Sequence, residues 1–395
     1  MKRSKSKYKN IVIFFAFLVY PFFPLIKEWN SSYGLIFEAL ILLSVTVVAL
    51  LHNEKGRRDF KFSSKMIIIT IFLFFYFLMN IKDAYSSFSA FRAFFAYLLV
   101  FITIDNDLNN RQNGLVLSAT KANNIASSIM SLGCIVQFIA PEIIKQAHNP
   151  SAWMMLRYKT DWTSFGIYNR ALSFMTDPNV LGVYLSFSFI LTTITFQKYR
   201  SKIYVMLSAL EIVSIVLTQS RTAIFCMLIY ILFVLVIRPF RKDRISKNNM
   251  LMVMIGMIII GVFIILYLNN ILSFLRVDTL YGGNGRIEKN GFQLSLYFND
   301  LSSILIGHGL FDGRSIIFEN SYILTFYMFG VCGTIILFYL CAQLIKPIIC
   351  NDNIEIILTL LAALFVGDYI LIPQVFLVVI ICLLLNTSKK KLLGR

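Results

Sequence analysis

Apolar runs long enough to cross a bilayer as helices recur along almost the whole chain. Of its 395 residues, 58% are hydrophobic and only 14% are charged. A bilayer core is spanned by about 20 apolar residues of helix, which satisfies its own backbone hydrogen bonds. The sequence therefore predicts an all-α polytopic membrane protein with one integral membrane domain over residues 1–395. Twelve spans are expected, with starts near residues 11, 33, 64, 86, 122, 178, 203, 221, 250, 319, 354 and 373.

The positions of lysine and arginine predict the orientation of these spans. With the N-terminus inside, 25 of the 37 basic residues lie on cytoplasmic segments, 11 lie outside and Arg92 lies within a span. The basic clusters, all on the cytoplasmic side, are residues 2–9, 55–65, 198–202, 238–247 and 389–395. We therefore expect a multi-pass protein of the cell (inner) membrane with both termini in the cytoplasm. The net charge of +17 is then mainly a topology signal and does not indicate nucleic-acid binding.

The first span is expected to stay in the mature protein. The apolar stretch 11–26 contains two prolines, lacks a small-residue cleavage site and leads directly into another span. Six cysteines without paired spacing and three scattered histidines predict neither a disulfide framework nor a metal site. No cofactor is expected.

Two outward loops are long, approximately residues 141–176 and 272–318, and long loops on a compact scaffold commonly bind or catalyse. The first contains Arg157 and Arg170, and the second contains Arg286 and His308 in glycine-rich surroundings. Arginine grips phosphate bidentately and keeps its charge, so the outer arginines favour a polyanionic ligand.

Arg221 stands between the apolar stretches 203–217 and 223–237, separated from them by only a few residues. A charge so close to hydrocarbon costs several kcal/mol unless it is partnered, which indicates a functional site. Four other ionisable residues lie within the predicted spans and are expected to face the bundle interior, with Arg92 pairing with a carboxylate: Glu38, Arg92, Glu211 and Asp368.

Three sequences at span starts share the outer face. Asp177-Pro178-Asn179 combines a preferred N-cap residue with proline at the first helical position. Ser220-Arg221-Thr222 and Glu319-Asn320-Ser321-Tyr322 open two further inward-running helices. Helix N-termini carry positive dipole ends, so together with Arg170, Arg221 and Arg286 they would suit a pyrophosphate. The alternative is that these are ordinary helix caps with arginines that reach toward interfacial water.

An ordered set of motifs over roughly residues 165–345 resembles the O-antigen polymerase (Wzy-type) and O-antigen ligase family of membrane glycosyltransferases. The matching segments are F-M-T-D-P-N-V-L-G at 174–182, T-Q-S-R-T-A at 218–223, G-N-G-R-I-E at 283–288, I-G-H-G-L-F at 306–311 and E-N-S-Y at 319–322. The resemblance implies a GT-C-like architecture and transfer of a glycan from undecaprenyl pyrophosphate at the periplasmic face. It also implies a role in O-antigen or related surface polysaccharide biosynthesis, and possible contact with a chain-length regulator.

The resemblance favours the polymerase branch, in which the growing chain is moved onto the next lipid-linked repeat unit. In the ligase branch, which transfers the glycan to the lipid A core of lipopolysaccharide, a histidine commonly precedes the asparagine where this chain has Glu319. A lipid-linked oligosaccharide flippase also has twelve spans and remains the non-enzyme alternative, although transporters often show two similar halves.

Glycosyl transfer needs a stabilised leaving group and a base for the acceptor proton. Arg221, Arg286 and Arg170 are expected to neutralise the departing pyrophosphate without a metal ion. The candidate bases are Glu319, Asp177 and His308, of which Glu319 is preferred and Asp177 is the one most easily explained as a helix cap. Further candidates for glycan or pyrophosphate binding are Arg157, Asn179, Asn320 and Tyr322.

Overall fold

The structure, a computed structural model, describes residues 2–51, 64–109, 114–150, 170–234, 295, 300–311, 320–346, 353–367 and 369–392. Within these ranges the regular structure is helical and contains no strand. The helices are α1 (Lys2–Val19), α2 (Phe23–Trp29), α3 (Ser31–Leu51), α4 (Ser64–Met79), α5 (Ala84–Asn109), α6 (Gly114–Ile139), α7 (Pro141–Ala147), α8 (Pro178–Tyr199), α9 (Lys202–Thr218), α10 (Arg221–Leu232), α11 (Leu301–Ile306), α12 (Ser321–Ile345), α13 (Ile354–Val366) and α14 (Pro373–Leu392).

The prediction of an all-α membrane protein is confirmed in its coarse form. Among the described residues, five helical stretches are long and apolar enough to cross a membrane: Tyr8–Trp29, Ile81–Phe101, Gly114–Ile139, Pro178–Tyr199 and Ser321–Gln343. Nine of the twelve predicted starts lie within two residues of a helix start. The first and fifth predicted spans correspond to helices that begin earlier, α1 at Lys2 and α6 at Gly114, and the predicted start near residue 250 lies outside the described ranges.

The distribution of polarity suits a lipid environment. Large apolar side chains such as Ile71, Met206 and Ile335 are more than 60% exposed on the outside of their helices. Polar side chains are buried between helices instead, including Asn123 and Ser127 of α6. Such an arrangement leaves apolar surface for acyl chains and lets polar groups bond across helices.

The core of the bundle is α8, which packs against α6, α9, α10 and α14. Its Tyr184 is fully buried and donates a hydrogen bond to Asn123 Oδ1 at 3.1 Å, and Asn123 donates to Ser188 Oγ at 3.2 Å. Two helices are thereby joined by side-chain hydrogen bonds inside an apolar core, which fixes their relative rotation.

Glu211 of α9 faces the bundle interior, as its sequence position predicted. Its side chain is completely buried, and Oε1 accepts hydrogen bonds from Ser127 Oγ at 2.7 Å and Thr192 Oγ1 at 3.2 Å. One carboxyl group therefore bridges three helices. Asp368, for which the same expectation was made, lies outside the described residues.

A glycine-based break in α12 receives the chain segment that follows α11. Gly330 has φ 63° and ψ −175°, so the helical hydrogen bonds are interrupted there. The backbone N–H groups of His308 and Gly309 donate to the carbonyl oxygens of Tyr327 and Met328 at 2.9 and 3.0 Å. A Cβ at Gly330 would lie 2.5 Å from the carbonyl oxygen of Leu305, so the close approach of the two backbones requires glycine.

Helices α8, α10, α12 and α14 begin at one end of the bundle, which we call the polar end. The Thr218–Arg221 turn lies beside the start of α8, because Arg170 links Thr218 to Asn179. Thr176, just before α8, lines one cavity together with Gln374 of α14. The segment before α14 in turn holds the start of α12, since Ser321 Oγ accepts from Tyr369 N at 2.9 Å.

Candidate functional site

Arg170 is buried at the polar end and joins two helices. Its Nε donates to the carbonyl oxygen of Thr218 at 3.0 Å, and its Nη2 donates to Asn179 Oδ1 at 2.7 Å. Thr218 is the last residue of α9, where the helix dipole presents partial negative charge. The guanidinium group thus occupies a position that favours a cation and holds α8 against the α9–α10 turn.

The segment that carries Arg170, residues 170–177, is fixed by several other contacts. Gln137 Oε1 accepts from the backbone N–H groups of Leu172 and Ser173, both at 2.9 Å. His148 Nε2 lies 2.7 Å from the carbonyl oxygen of Ser173. A segment fastened along its length positions side chains with little further loss of entropy on binding.

The start of α8 is capped as the sequence predicted. Asp177 Oδ1 accepts from the backbone N–H of Asn179 at 2.7 Å, and Pro178 occupies the first helical position. Asp177 therefore acts as an N-cap in this structure. Asn179 contributes its backbone donor to Asp177 and its side-chain oxygen to Arg170.

The start of α10 packs unusually closely against α8. Ser220 is fully buried and its Oγ accepts from Ala223 N at 3.3 Å, which caps the helix. A Cβ at Gly182 would lie 2.7 Å from Ala223 Cβ and 2.8 Å from Thr218 Oγ1. Glycine at position 182 is therefore needed for α8 to approach the turn that carries Arg221.

Arg221 is the first residue of α10 and is half-buried. A cation at a helix N-terminus opposes the helix dipole, at a cost of about 0.3–1 kcal/mol. The position thus disfavours arginine for stability, in contrast to Arg170. A ligand anion would benefit from both the guanidinium charge and the dipole of α10.

The start of α12 is capped by Asn320, which the sequence analysis had proposed for glycan or pyrophosphate binding. Its Oδ1 accepts from Tyr322 N at 2.8 Å and Ile323 N at 3.3 Å, and its Nδ2 donates to the carbonyl oxygen of Phe365 at 2.8 Å. The Tyr322 hydroxyl donates to the carbonyl oxygen of Leu361 at 3.0 Å. Both side chains therefore anchor α12 to α13.

His308 belongs to a separate polar cluster between α4 and α12. Its ring stacks on Tyr327 with centroids 4.3 Å apart. Burial lowers the pKa of the His308 imidazole below its usual value, and the charge of Asp300 partly offsets this shift. The neutral ring is therefore favoured near pH 7, as a proton acceptor requires.

A cavity of about 450 Å³ opens beside the start of α8. Four charged side chains line it: Lys27 and Glu28 of α2, Glu38 of α3 and Arg92 of α5. Arg92 Nη1 forms an ion pair with Glu38 Oε2, which lies 3.6 Å from Lys27 Nζ. The expectation that Arg92 pairs with a carboxylate is confirmed. Thr176 and Val180, which both line this cavity, flank the Asp177–Asn179 cap in the sequence. The cavity therefore adjoins the start of α8.

The structure brings some of the sequence-derived site residues together and leaves others apart. Arg170, Asp177, Asn179 and Arg221 gather around the α8 start and the α9–α10 turn. Asn320 and Tyr322 join α12 to α13, and His308 contacts Tyr327. Three proposed residues, Arg157, Arg286 and Glu319, lie outside the described residues.

The sequence predicted that Arg92 pairs with a carboxylate, but it did not identify Glu38 as the partner or place the two residues at a cavity. Glu28 and His148, whose carboxylate oxygen and Nδ1 lie 2.7 Å apart, are separated by 120 residues and gave no local signal. Among the described residues, no three histidine, cysteine, aspartate or glutamate side chains form a group that could hold a metal ion.

No protein-family model, curated protein or solved structure matches the chain.

Proposed function

We propose that the protein polymerises lipid-linked oligosaccharide repeat units, with the polar end at the outer face of the membrane. The glycan leaves undecaprenyl pyrophosphate and joins the next lipid-linked repeat. The observation that carries the proposal is the position of Arg221, which opens α10 against the helix dipole beside the fixed Arg170 segment. That arrangement favours an anion, and the motif order of residues 174–322 supports a glycosyl pyrophosphate as its source.

The two described arginines have different roles in this proposal. Arg170 is a positioning residue, because two of its donors already bond Thr218 and Asn179. Arg221 contacts the pyrophosphate, and Arg286 of the late outer loop completes the charge. As the anomeric carbon–oxygen bond to phosphate breaks, these fixed charges stabilise the negative charge that develops on the leaving group.

The acceptor hydroxyl forms the new bond to the anomeric carbon and loses its proton to a base. Glu319 is the preferred base, immediately before the Asn320 cap of α12. His308 is the alternative, since burial keeps its imidazole neutral. Asp177 is the weakest candidate, because its Oδ1 already accepts the backbone N–H of Asn179. No step in this scheme requires a metal ion.

Chain lengthening by the full-length protein in lipid nanodiscs, supplied with lipid-linked repeat units, tests the proposal. Arg221→Gln should lower the rate by roughly 10²-fold, the usual effect of removing one transition-state charge contact. Arg200→Gln, at the opposite end of α8, is the matched control and should retain activity. Full activity of Arg221→Gln, with its helix content preserved, would remove the leaving-group assignment.

A flippase is the second candidate function, and the burial of the Glu211 carboxyl group favours it. Its carboxyl group is buried inside the bundle, and Oε2 has no hydrogen-bond partner among the described residues. Buried carboxyls in transporters often carry protons. A deletion strain separates the candidates: single-repeat surface glycan indicates a polymerase, retention of units in the cytoplasm a flippase, and unattached long glycan a ligase.

A further inference from the structure

We propose that the cavity lined by Lys27, Glu28, Glu38 and Arg92 is a subsite for a sugar residue that carries a carboxylate. The inference rests on the proposed function, since it names the class of glycan that the polymerase would hold next to its reacting centre.

The cavity carries excess positive charge. Lys27 and Arg92 are both paired with the single carboxylate of Glu38, whose other oxygen accepts from the Tyr20 hydroxyl at 2.9 Å. The other carboxyl, Glu28, contacts His148 Nδ1, and the second ring nitrogen contacts the carbonyl oxygen of Ser173. The contact of Nε2 with a carbonyl oxygen requires a hydrogen on Nε2, and the contact of Nδ1 with Glu28 Oε2 requires one hydrogen between those two atoms. The His148–Glu28 pair therefore carries no net charge. Within the described part of the chain, the titratable groups that line the cavity, together with His148, therefore sum to one positive charge.

Two atoms of this group lack partners in a way that points to a ligand. Arg92 Nε is buried and has no hydrogen-bond partner within the described part of the chain. The same holds for Glu28 Oε1, which accepts no hydrogen bond from those residues. Leaving a buried polar atom unsatisfied costs about 1–3 kcal/mol, and more for a charged group. A ligand with both an anionic oxygen and hydroxyl donors would satisfy both.

The size and walls of the cavity fit a saccharide. Its volume of about 450 Å³ lies within the range of about 300–1,000 Å³ typical of small-molecule sites. Phe23, Pro24 and Ile372 supply apolar walls against which the carbon face of a sugar ring can pack. Thr176 and Gln374 add neutral polar groups.

The charge of the cavity selects among possible anions. A carboxylate adds one negative charge and leaves the group neutral. A pyrophosphate adds at least two, and would place uncompensated negative charge beside Glu38 in a partly desolvated space. A neutral sugar would leave the excess positive charge and Arg92 Nε unsatisfied. The geometry therefore favours a uronic acid residue over both.

Binding of a disaccharide with one galacturonate and one galactose residue, and of the neutral digalactose, to the full chain in nanodiscs, measured by calorimetry, tests the subsite. Wild-type protein should bind the acidic disaccharide at least about tenfold more tightly, since tenfold corresponds to about 1.4 kcal/mol. Arg92→Gln should abolish this preference, and Arg92→Lys should restore part of it. Glu38→Gln retains both cations and should increase the preference. Arg200→Gln, far from the cavity, should bind as the wild type does.

Three outcomes would overturn the subsite: equal binding of the two disaccharides by the wild type, an unchanged preference in folded Arg92→Gln, or displacement of the acidic disaccharide by stoichiometric inorganic pyrophosphate. Chain lengthening is assayed on the same preparations. Lengthening without acid preference removes the subsite and leaves the polymerase proposal, whereas acid preference without lengthening removes the polymerase and leaves the subsite.

Discussion

Arg170 and Arg221 provide a direct comparison, because they are neighbours in space with opposite relations to helix dipoles. Arg170 meets the C-terminal end of α9, whereas Arg221 begins α10. We expect Arg170→Gln to lower the free energy of unfolding more than Arg221→Gln does. In protein that is fully folded, Arg221→Gln should impair chain lengthening more than Arg170→Gln does, because Arg221 contacts the pyrophosphate and Arg170 only positions the site.

The magnitude for Arg170 follows from its two hydrogen bonds. A hydrogen bond involving a charged group contributes about 1.5–3 kcal/mol, so two would sum to about 3–6 kcal/mol. Glutamine retains an amide donor that can reach one of the two oxygens, so the expected loss is about 2–4 kcal/mol. Arg221→Gln should cost less than Arg170→Gln, because it removes a cation from a helix N-terminus, where the dipole opposes a positive charge.

The free energies of unfolding can be measured by titrating sodium dodecyl sulfate into mixed micelles while helix content is followed by circular dichroism. Arg170→Lys keeps the charge with a single point of contact and should fall between the wild type and Arg170→Gln. If Arg170→Gln were as stable as the wild type, the hydrogen bonds from Arg170 to Thr218 and Asn179 would not hold the segment. A large destabilisation of Arg221→Gln would instead give Arg221 a structural role.

Further substitutions test the packing and the topology. Arg92→Leu should cost less than about 3–5 kcal/mol, the cost of a fully unpaired buried charge, because Lys27 still faces the Glu38 carboxylate. The double variant with Glu38→Leu should lose less than the sum of the two single variants, and additive losses in the four-protein cycle would contradict the pairing. Gly182→Ala should destabilise by about 1–3 kcal/mol through its clash with Ala223, measured in the same micelle titration, and wild-type stability would show that the helices can separate. A cysteine replacing Lys55 should not react with a maleimide that stays outside intact cells, because position 55 is predicted to face the cytoplasm. Labelling from outside would contradict the predicted orientation.

The local sequence determined where most helices begin. Asp177, Ser220 and Asn320 each carry a short polar side chain that can accept a backbone N–H, and each precedes an apolar run. Capping involves atoms two or three residues apart, so it can be read from the sequence. Membrane-spanning helices could be predicted from the sequence equally well, because they depend on the number of consecutive apolar residues.

The break in α12 at Gly330 could not be predicted in the same way. Glycine is common in membrane helices, and nothing next to Gly330 signals an interruption. The interruption is stabilised by the backbone of His308 and Gly309, in the segment that follows α11. The candidate base His308 is therefore set against Tyr327 by a contact between two separate segments, and no local pattern next to Gly330 indicates it.

By itself, the sequence determined that the chain forms apolar helices, where most of them begin, and that Arg92 and Glu211 must avoid lipid. Only the tertiary structure decided that Arg92 meets Glu38, that Arg170 bridges Thr218 and Asn179, and that a charged cavity adjoins them. The physical reason is that lipid tails are as apolar as leucine, so hydrophobicity places helices in the membrane without choosing their neighbours. Neighbours are chosen by close packing at residues such as Gly182 and by paired polar groups, which are properties of two surfaces together.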